Sequence, residues 1–304
     1  MGRILLSGST GFIGRNLYCS NKNAFKRIIR SVNKLSTFDD YIIHDFAPEM
    51  NWSNAFDDIT SIIHLAGIAH SKTNSYEDYK SVNVDSTLNF AMQAATAGVK
   101  RFVFVSSIGV NGTQTFDLPF THNSQPHPRN YYSKSKLDAE LGLQRISNET
   151  GMELVIIRPT LVYGLNAPGN FGALSRFIIK SPLLPFGLVK NRRSFISVQN
   201  LANLLLVCAN HPNAGGHIFL ASEGETVSIK TFTSNIANGF GKSVFQLPVP
   251  IGFMSLVGKL LGKSSMVEQL VSNLEVDSSN LREILDWTPP YTMKESMAFL
   301  KQVK

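Results

Sequence analysis

The stretch Gly8-Ser9-Thr10-Gly11-Phe12-Ile13-Gly14 constrains this chain most. It comes after a short apolar run, Ile4-Leu5-Leu6, and leads into a segment that reads as a helix from Arg15 through Tyr18 and beyond. Strand, glycine turn and helix, in that order, are what a dinucleotide loop requires. Glycines let the backbone turn tightly and approach a pyrophosphate, and the helix N-terminus offers it unpaired N–H groups and partial positive charge. The spacing is GxxGxxG rather than the commoner GxGxxG, so by itself the loop also fits a plain turn at a strand end. Its place at the very start of the chain, and the alternating strands and helices downstream of it, favour the dinucleotide reading.

Phe25 to Arg30 reads as a second strand. An acidic residue about 20 residues past such a loop suits a ribose 2′-hydroxyl, whereas an arginine suits a 2′-phosphate. The strand ends in Arg30 with no Asp or Glu beside it, which favours NADP(H) and leaves NAD(H) possible. Tyr41 to Asp45 reads as a third strand, with Asp45 placed to bond an adenine amino group. Ile59 to Leu65 runs into Ala66-Gly67, small residues that admit a cofactor close to the backbone. His64 and His70 flank this turn without a third ligand, so both read as ordinary polar residues and no metal is expected.

Tyr79 to Ala97 has helical spacing and stops at Gly98. Arg101 to Val105 is a continuous apolar strand of the kind buried on both faces in a parallel sheet, and it ends in Ser106-Ser107. A helix over about 130–150, closed by Gly151, leads to the strand Glu153 to Ile157, which ends at Arg158-Pro159. Strands alternating with helices behind one glycine loop predict an α/β fold, a Rossmann-type doubly wound parallel sheet. From Gly164 the pattern turns irregular, with Pro168, Gly169, Pro182 and Pro185, before His217 to Leu220 returns to the sheet. The expected division is a dinucleotide-binding domain at 1–165 with a return segment at about 195–222. A small C-terminal substrate-binding lobe takes about 166–194 and 223–304. The apolar stretch Ile251 to Leu261 is expected to form lobe core.

Composition excludes several classes. With 43% hydrophobic and 17% charged residues in 304, the chain can bury a sizeable core. The net charge of +7 favours anionic partners, but no block of basic residues marks a nucleic-acid arm. The two cysteines, Cys19 and Cys208, have no metal spacing and are expected to be buried thiols. No apolar run reaches the length of a membrane span, and no signal peptide is recognised, so a cytoplasmic protein is expected.

Three residues can carry a reaction: Ser107, Tyr132 and Lys136. Tyr132 and Lys136 are four apart, on one face of a helix. A phenol with a pKa near 10 is a poor base at neutral pH, and a nearby ammonium together with an oxidised nicotinamide would lower that value. Ser107 stands at the C-terminal end of a central strand, where sheets of this class place ligands.

Taken together, the chain resembles an extended short-chain dehydrogenase/reductase of the NAD-dependent epimerase/dehydratase family along essentially its whole length. The resemblance is carried by GSTGFIG at 8–14, HLAG at 64–67, FVFVSSIGVNG at 102–112, YYSKSK at 131–136, RPTLVYG at 158–164, NRRSFISVQNLA at 191–202 and LDWTPP at 285–290. It implies that Tyr132 is the general acid/base, that Lys136 binds the nicotinamide ribose and tunes Tyr132, and that Ser107 polarises the substrate oxygen. It implies a cofactor held by Gly8, Thr10, Gly11, Phe12, Ile13 and Gly14, with Pro159 also contributing. It further implies a UDP-sugar in the lobe, contacted by Asn170 and by Arg193 at its phosphates. Two positions depart from the pattern: Leu161 stands where relatives often have Asn, and 271–277 lacks the arginine many of them use on the diphosphate.

Within the family, SSIGVNG, GNF at 169–171 and NRRS at 191–194 resemble enzymes of bacterial surface-polysaccharide synthesis. Arg30 favours reduction of a UDP-linked 4-keto hexose or N-acetylhexosamine, with UDP-sugar 4-epimerisation on retained NAD as the alternative. A dehydratase is disfavoured because Ile108, not an acid, comes after Ser107. A non-catalytic NADP-binding regulator would be expected to have lost Tyr132 or Lys136, and a nucleic-acid binder leaves all three residues unexplained. The resemblance also implies a homodimer built on the helices at 79–97 and 130–150.

Overall fold

The computed structural model describes residues 3–30, 40–69 and 75–301. The glycine loop joins β1 (Arg3–Ser7) to α1 (Phe12–Ser20), and β2 (Phe25–Ile29) and β3 (Tyr41–Ile42) come after it. β4 (Ile59–His64) leads to α2 (Tyr76–Tyr79), a widened i→i+5 turn at Lys80–Asp85, and α3 (Ser86–Thr96). β5 (Arg101–Val105), α4 (Tyr131–Thr150) and β6 (Glu153–Pro159) come next, then β7 (Leu161–Tyr163), α5 (Gly169–Lys180), β8 (Leu183–Leu184) and β9 (Arg193–Ser197). After α6 (Val198–Asn210) and β10 (Ile218–Ala221), the chain runs through β11 (Thr226–Val227), α7 (Ile229–Gly239) and β12 (Phe245–Gln246). It ends in α8 (Ile251–Leu260), α9 (Ser264–Val271), α10 (Ser279–Leu285) and α11 (Met293–Ala298).

Seven strands form one parallel sheet in the order β10-β6-β5-β4-β1-β2-β3. This is the Rossmann-type α/β fold. Alternate strand residues feed opposite layers, and both sets are apolar. Ile4, Leu6, Ile63, Val103 and Val105 pack under α1 and α6, while Leu5, Ile62, Phe102 and Phe104 pack under α3 and α4. From β1 the chain moves outward to β2 and β3, then returns to the other side of β1 as β4. That reversal opens a crevice at the C-terminal ends of β1 and β4, where the glycine loop and Ala66-Gly67 both lie.

A smaller sheet, β11-β9-β7, begins where β6 ends at Pro159. Its core includes Phe195 stacked on Phe232 of α7, with ring centroids 3.8 Å apart.

Several local expectations are corrected. The helix read over 79–97 is divided by the widened turn, which carries the buried Asn83 inward. The third strand is two residues long, so Asp45 lies beyond it, exposed, with its carboxylate accepting from the Phe46 N–H at 2.8 Å. The irregular stretch after Gly164 contains α5, which starts just past Pro168 and buries Phe171 and Ile178. Cys208 is buried but Cys19 is exposed, because α1 turns it away from the sheet. The segment expected to be lobe core, α8, buries only Met254 and Gly258 and leaves Ile251, Phe253, Leu256, Val257, Leu260 and Leu261 exposed. His70 lies outside the described residues. No helix among the described residues is long and apolar enough to cross a membrane.

Candidate active site

The glycine loop is built for backbone approach. Gly8 adopts φ +69° and packs so tightly that a Cβ would stand 2.7 Å from the Ala66 nitrogen. A Cβ on Gly14 would stand 2.2 Å from the Gly8 carbonyl oxygen. α1 starts on Gly11, and no side chain caps it. The N–H groups of its first turn therefore face the crevice without a side-chain acceptor. The loop is also braced from outside, where the Ser9 hydroxyl donates to the Ile28 carbonyl of β2 at 3.2 Å.

Beneath the loop lies a buried polar network. Ser7 Oγ accepts from the Leu65 and Ala66 N–H groups, at 3.2 and 3.3 Å, so its single proton goes to His64 Nδ1 at 2.8 Å. The other ring nitrogen, Nε2, then carries the hydrogen and donates to Thr87 Oγ1 at 3.1 Å. Burial, and then the Lys136 charge, hold His64 well below the ordinary imidazole range, so it is a neutral brace. Among the described residues, no group of acidic, His or Cys side chains could hold a metal.

Tyr132, Ser133 and Lys136 stand in the first turns of α4, whose entry is set by Asn130. The Asn130 side chain caps the helix by accepting from the Ser133 N–H at 2.8 Å. Lys136 Nζ donates to the Val105 carbonyl at the end of β5, at 2.9 Å, and lies over the Phe104 ring. Burial lowers the Lys136 ammonium to about 8, against a smaller upward pull from Glu140. Glu140 is committed elsewhere, in a buried pair with Arg158 of β6. Burial pushes the Tyr132 phenol up to about 12, and Tyr79, packed edge-on against its ring, adds to the shift. The protein's own groups therefore keep this phenol protonated, and the lowering expected from the YxxxK spacing requires the positive charge of a bound oxidised nicotinamide.

Ser107 caps a short turn, its Oγ accepting from the Gly109 N–H at 3.1 Å. A Cβ on Gly109 would stand 2.5 Å from Ser133 Oγ and 3.3 Å from Ser107 Oγ, so glycine is what lets the strand-end serine meet α4.

One cavity of about 920 Å³ brings these parts together. Gly8, Gly11, Phe12, Ile13 and Gly14 line one end, and Gly67, Ser107, Tyr132, Lys136 and Pro159 line its middle. Asn170 and Arg193 line the lobe side. Arg193 donates to the Ser272 carbonyl at 2.9 Å, and burial lowers its guanidinium to about 10. Ser106 also lines the cavity and, among the described residues, buries a hydroxyl with no partner. The residues present fit a nicotinamide dinucleotide: a Cβ-free cradle, an uncapped helix start, and a lysine and an orphan hydroxyl beyond them.

Four expected cofactor residues lie outside the lining. Thr10, Arg30 and Asp45 are exposed, and Ala66 is half-buried against the core under α3 and α4. Arg30 stands just past β2, two residues beyond the Ile28 that the loop's Ser9 bonds.

Sequence reasoning missed Asn83, Phe177, Lys263 and Met266. Asn83 accepts from the Ile68 N–H at 2.8 Å and donates to the Ile68 carbonyl and Ser135 Oγ, both at 3.0 Å. It thereby fixes the loop after β4 against α4. The helical spacing of 79–97 gave no sign of the widened turn that buries it. Phe177, Lys263 and Met266 line the cavity from α5 and the start of α9. Lys263 supplies a cation near the place where the expected diphosphate arginine is missing.

Comparison with known proteins shows the family. The chain is 40% identical over 303 residues to a UDP-glucose 4-epimerase of Vibrio cholerae, covering 96% of this chain and 92% of that protein. It is 25% identical to N-acetyl-alpha-D-glucosaminyl-diphospho-ditrans,octacis-undecaprenol 4-epimerase of Escherichia coli O157:H7, covering 97% and 92%. The crystal structure of UDP-N-acetylglucosamine 4-epimerase from Bacillus cereus superposes with a TM-score of 0.76 at 22% identity, covering 99% of this chain and 96% of that one, a likeness of fold. Residues 4–222 match the model of one family. With the glycine loop, the strand-end serine and the Tyr132–Lys136 pair lining one cavity, the chain belongs to the NAD dependent epimerase/dehydratase family.

Proposed function

We propose that the protein moves hydrogen at C4 of a UDP-linked hexose or N-acetylhexosamine, and that it does so as a 4-epimerase with retained NAD. The observation that carries this reading is the continuity of the cavity. Glycine loop, Tyr132, Lys136, Ser107 and Arg193 line one continuous cavity, so sugar and dinucleotide can meet within it.

Each residue has a defined task. The α1 N-terminus and the bare backbone of Gly8, Gly11 and Gly14 hold the pyrophosphate. Lys136, anchored on Val105, presents its remaining N–H bonds to the ribose and its charge to the phenol. Ser107 donates to the C4 oxygen of the sugar and orients it. Tyr132 takes the proton from that oxygen as C4 is oxidised and returns it as C4 is reduced. Arg193 and Lys263 offset charge on the diphosphate, and the lobe excludes water. The bound nicotinamide would supply the reversible two-electron acceptor.

A second reading is favoured by Arg30. A cation at the end of β2, beside the glycine loop, suits a 2′-phosphate. With NADPH that exchanges after each turnover, the same residues would reduce a UDP-4-keto sugar.

Two measurements separate these readings. The purified protein is denatured and its released nucleotide identified by mass spectrometry, and UDP-glucose and UDP-N-acetylglucosamine are then offered without added cofactor. Retained NAD with conversion to the galacto epimer supports the epimerase. An empty protein that oxidises NADPH only in the presence of a UDP-4-keto sugar moves the assignment to the reductase. Tyr132→Phe should retain nucleotide and lose turnover by roughly 10²–10⁴-fold in either case. Near-normal turnover by that variant would refute the role given to Tyr132.

A further inference from the structure

Helix α8 is apolar almost all round, yet only Met254 and Gly258 are buried. These two lie one turn apart, Met254 in the apolar core around Phe232 and Gly258 against α9. The fit is close enough that a Cβ on Gly258 would stand 2.7 Å from Val267 Cγ2. At 3.6 residues per turn, Phe253, Leu256, Val257 and Leu260 share an arc of roughly 100° on the side away from that contact. They are 59, 54, 36 and 78% exposed. An apolar face this continuous on a surface helix is a contact surface and not ordinary scatter.

The charges around the face select its occupant. Lys259 projects from α8 beside the apolar arc, and Lys263 stands in the turn to α9. Between 251 and 271 the only acidic residue is Glu268, which lines a separate cavity with the loop at 111–129. A second copy packed face to face would bring like charges together. An anionic surface with an apolar interior satisfies this face, with the ring and branched chains inside the boundary and the Lys259 ammonium at the headgroups.

Through its buried side, α8 is tied to the helix that lines one part of the cavity. The Lys263 N–H bonds the Gly258 carbonyl at 2.7 Å, which ties the start of α9 to α8. Lys263 and Met266, at that start, line the cavity together with Phe177 of α5. Phe177 and Met266 are about half exposed. We infer that α8 is an interfacial docking helix that seats the protein on an anionic bilayer surface with the mouth of the cavity beside it.

The test uses the full chain and sedimentation with phosphatidylcholine vesicles, with and without phosphatidylglycerol. Wild type should sediment with the anionic vesicles at low salt and be released by high salt. Phe253→Ser/Leu256→Ser/Leu260→Ser should reduce the bound fraction by roughly tenfold or more, and Lys259→Glu by a comparable factor. Both variants should keep the wild-type melting temperature and turnover of a soluble nucleotide sugar, since neither touches the cavity. Binding does not depend on the reaction, so failure of the proposed function leaves this test intact. Wild type left in the supernatant with both vesicles would overturn the inference, and so would a triple variant that sediments like wild type. Light scattering that shows the triple variant dissociating an assembly would assign the face to a second copy and likewise overturn it.

Discussion

Lys136 shows what the site asks of a single side chain. Its ammonium is buried, so its pKa falls from 10.5 in the unfolded chain to about 8 in the folded one. Between those values the unfolded chain binds more protons, so the contribution of Lys136 makes stability rise with pH from about 8 towards 10.5. Below pH 8 the charged lysine disfavours folding by roughly 3 kcal/mol. Lys136→Met should therefore unfold at higher urea at pH 7, by about 1–3 kcal/mol once the lost bond to the Val105 carbonyl is subtracted, while losing turnover. Burial raises the Tyr132 and Cys208 groups, which makes stability fall as pH climbs through their ordinary values, but both remain in the variant, so the difference between wild type and variant reports on Lys136. The gap should close as pH rises from 8 to 10. A variant less stable than wild type at pH 7 would mean that the folded protein stabilises this charge and does not merely tolerate it.

The strand–loop–helix unit at the start of the chain works through the absence of side chains. Gly14 brings the first turn of α1 against the Gly8 carbonyl, and no flexible side chain separates them that could yield. Gly14→Ala should shift α1 relative to β1, weaken nucleotide retention by at least about tenfold, and lower stability by about 1–3 kcal/mol. Mass spectrometry of the denatured protein and urea unfolding would read the two effects, and normal retention would show that the loop can move without penalty. The break between α2 and α3 makes the complementary point. A regular helix over the whole of 79–97 would obey apolar spacing alone. The chain instead widens by one residue at Lys80–Asp85, which puts Asn83 where it holds Ile68 and Ser135 together.

For the molecule as a whole, we propose a homodimer joined through the outer faces of α3 and α4, where Met92 and Leu141 stand exposed. Light scattering at micromolar concentration should give twice the chain mass, and Leu141→Glu should shift it towards monomer. A monomeric wild type would remove the proposal, and vesicle binding through α8 would be unaffected either way. The parallel sheet, the glycine loop and the Tyr132–Lys136 pair were legible from residue order because each has a local signature: short continuous apolar runs between helices, glycine at a turn, i and i+4 on a helix. The placement of Asp45, the burial of Asn83, the existence of α5 behind Pro168 and the exposure of α8 were not. Those depend on which surfaces meet when distant segments pack, and an apolar helix carries the same local pattern whether another element covers it or not. Sequence by itself determined the architecture and singled out Ser107, Tyr132 and Lys136 as candidates; only the tertiary structure decided which residues line the cavity and which apolar face is left for something else to cover, because burial is a property of the packed chain and not of any segment within it.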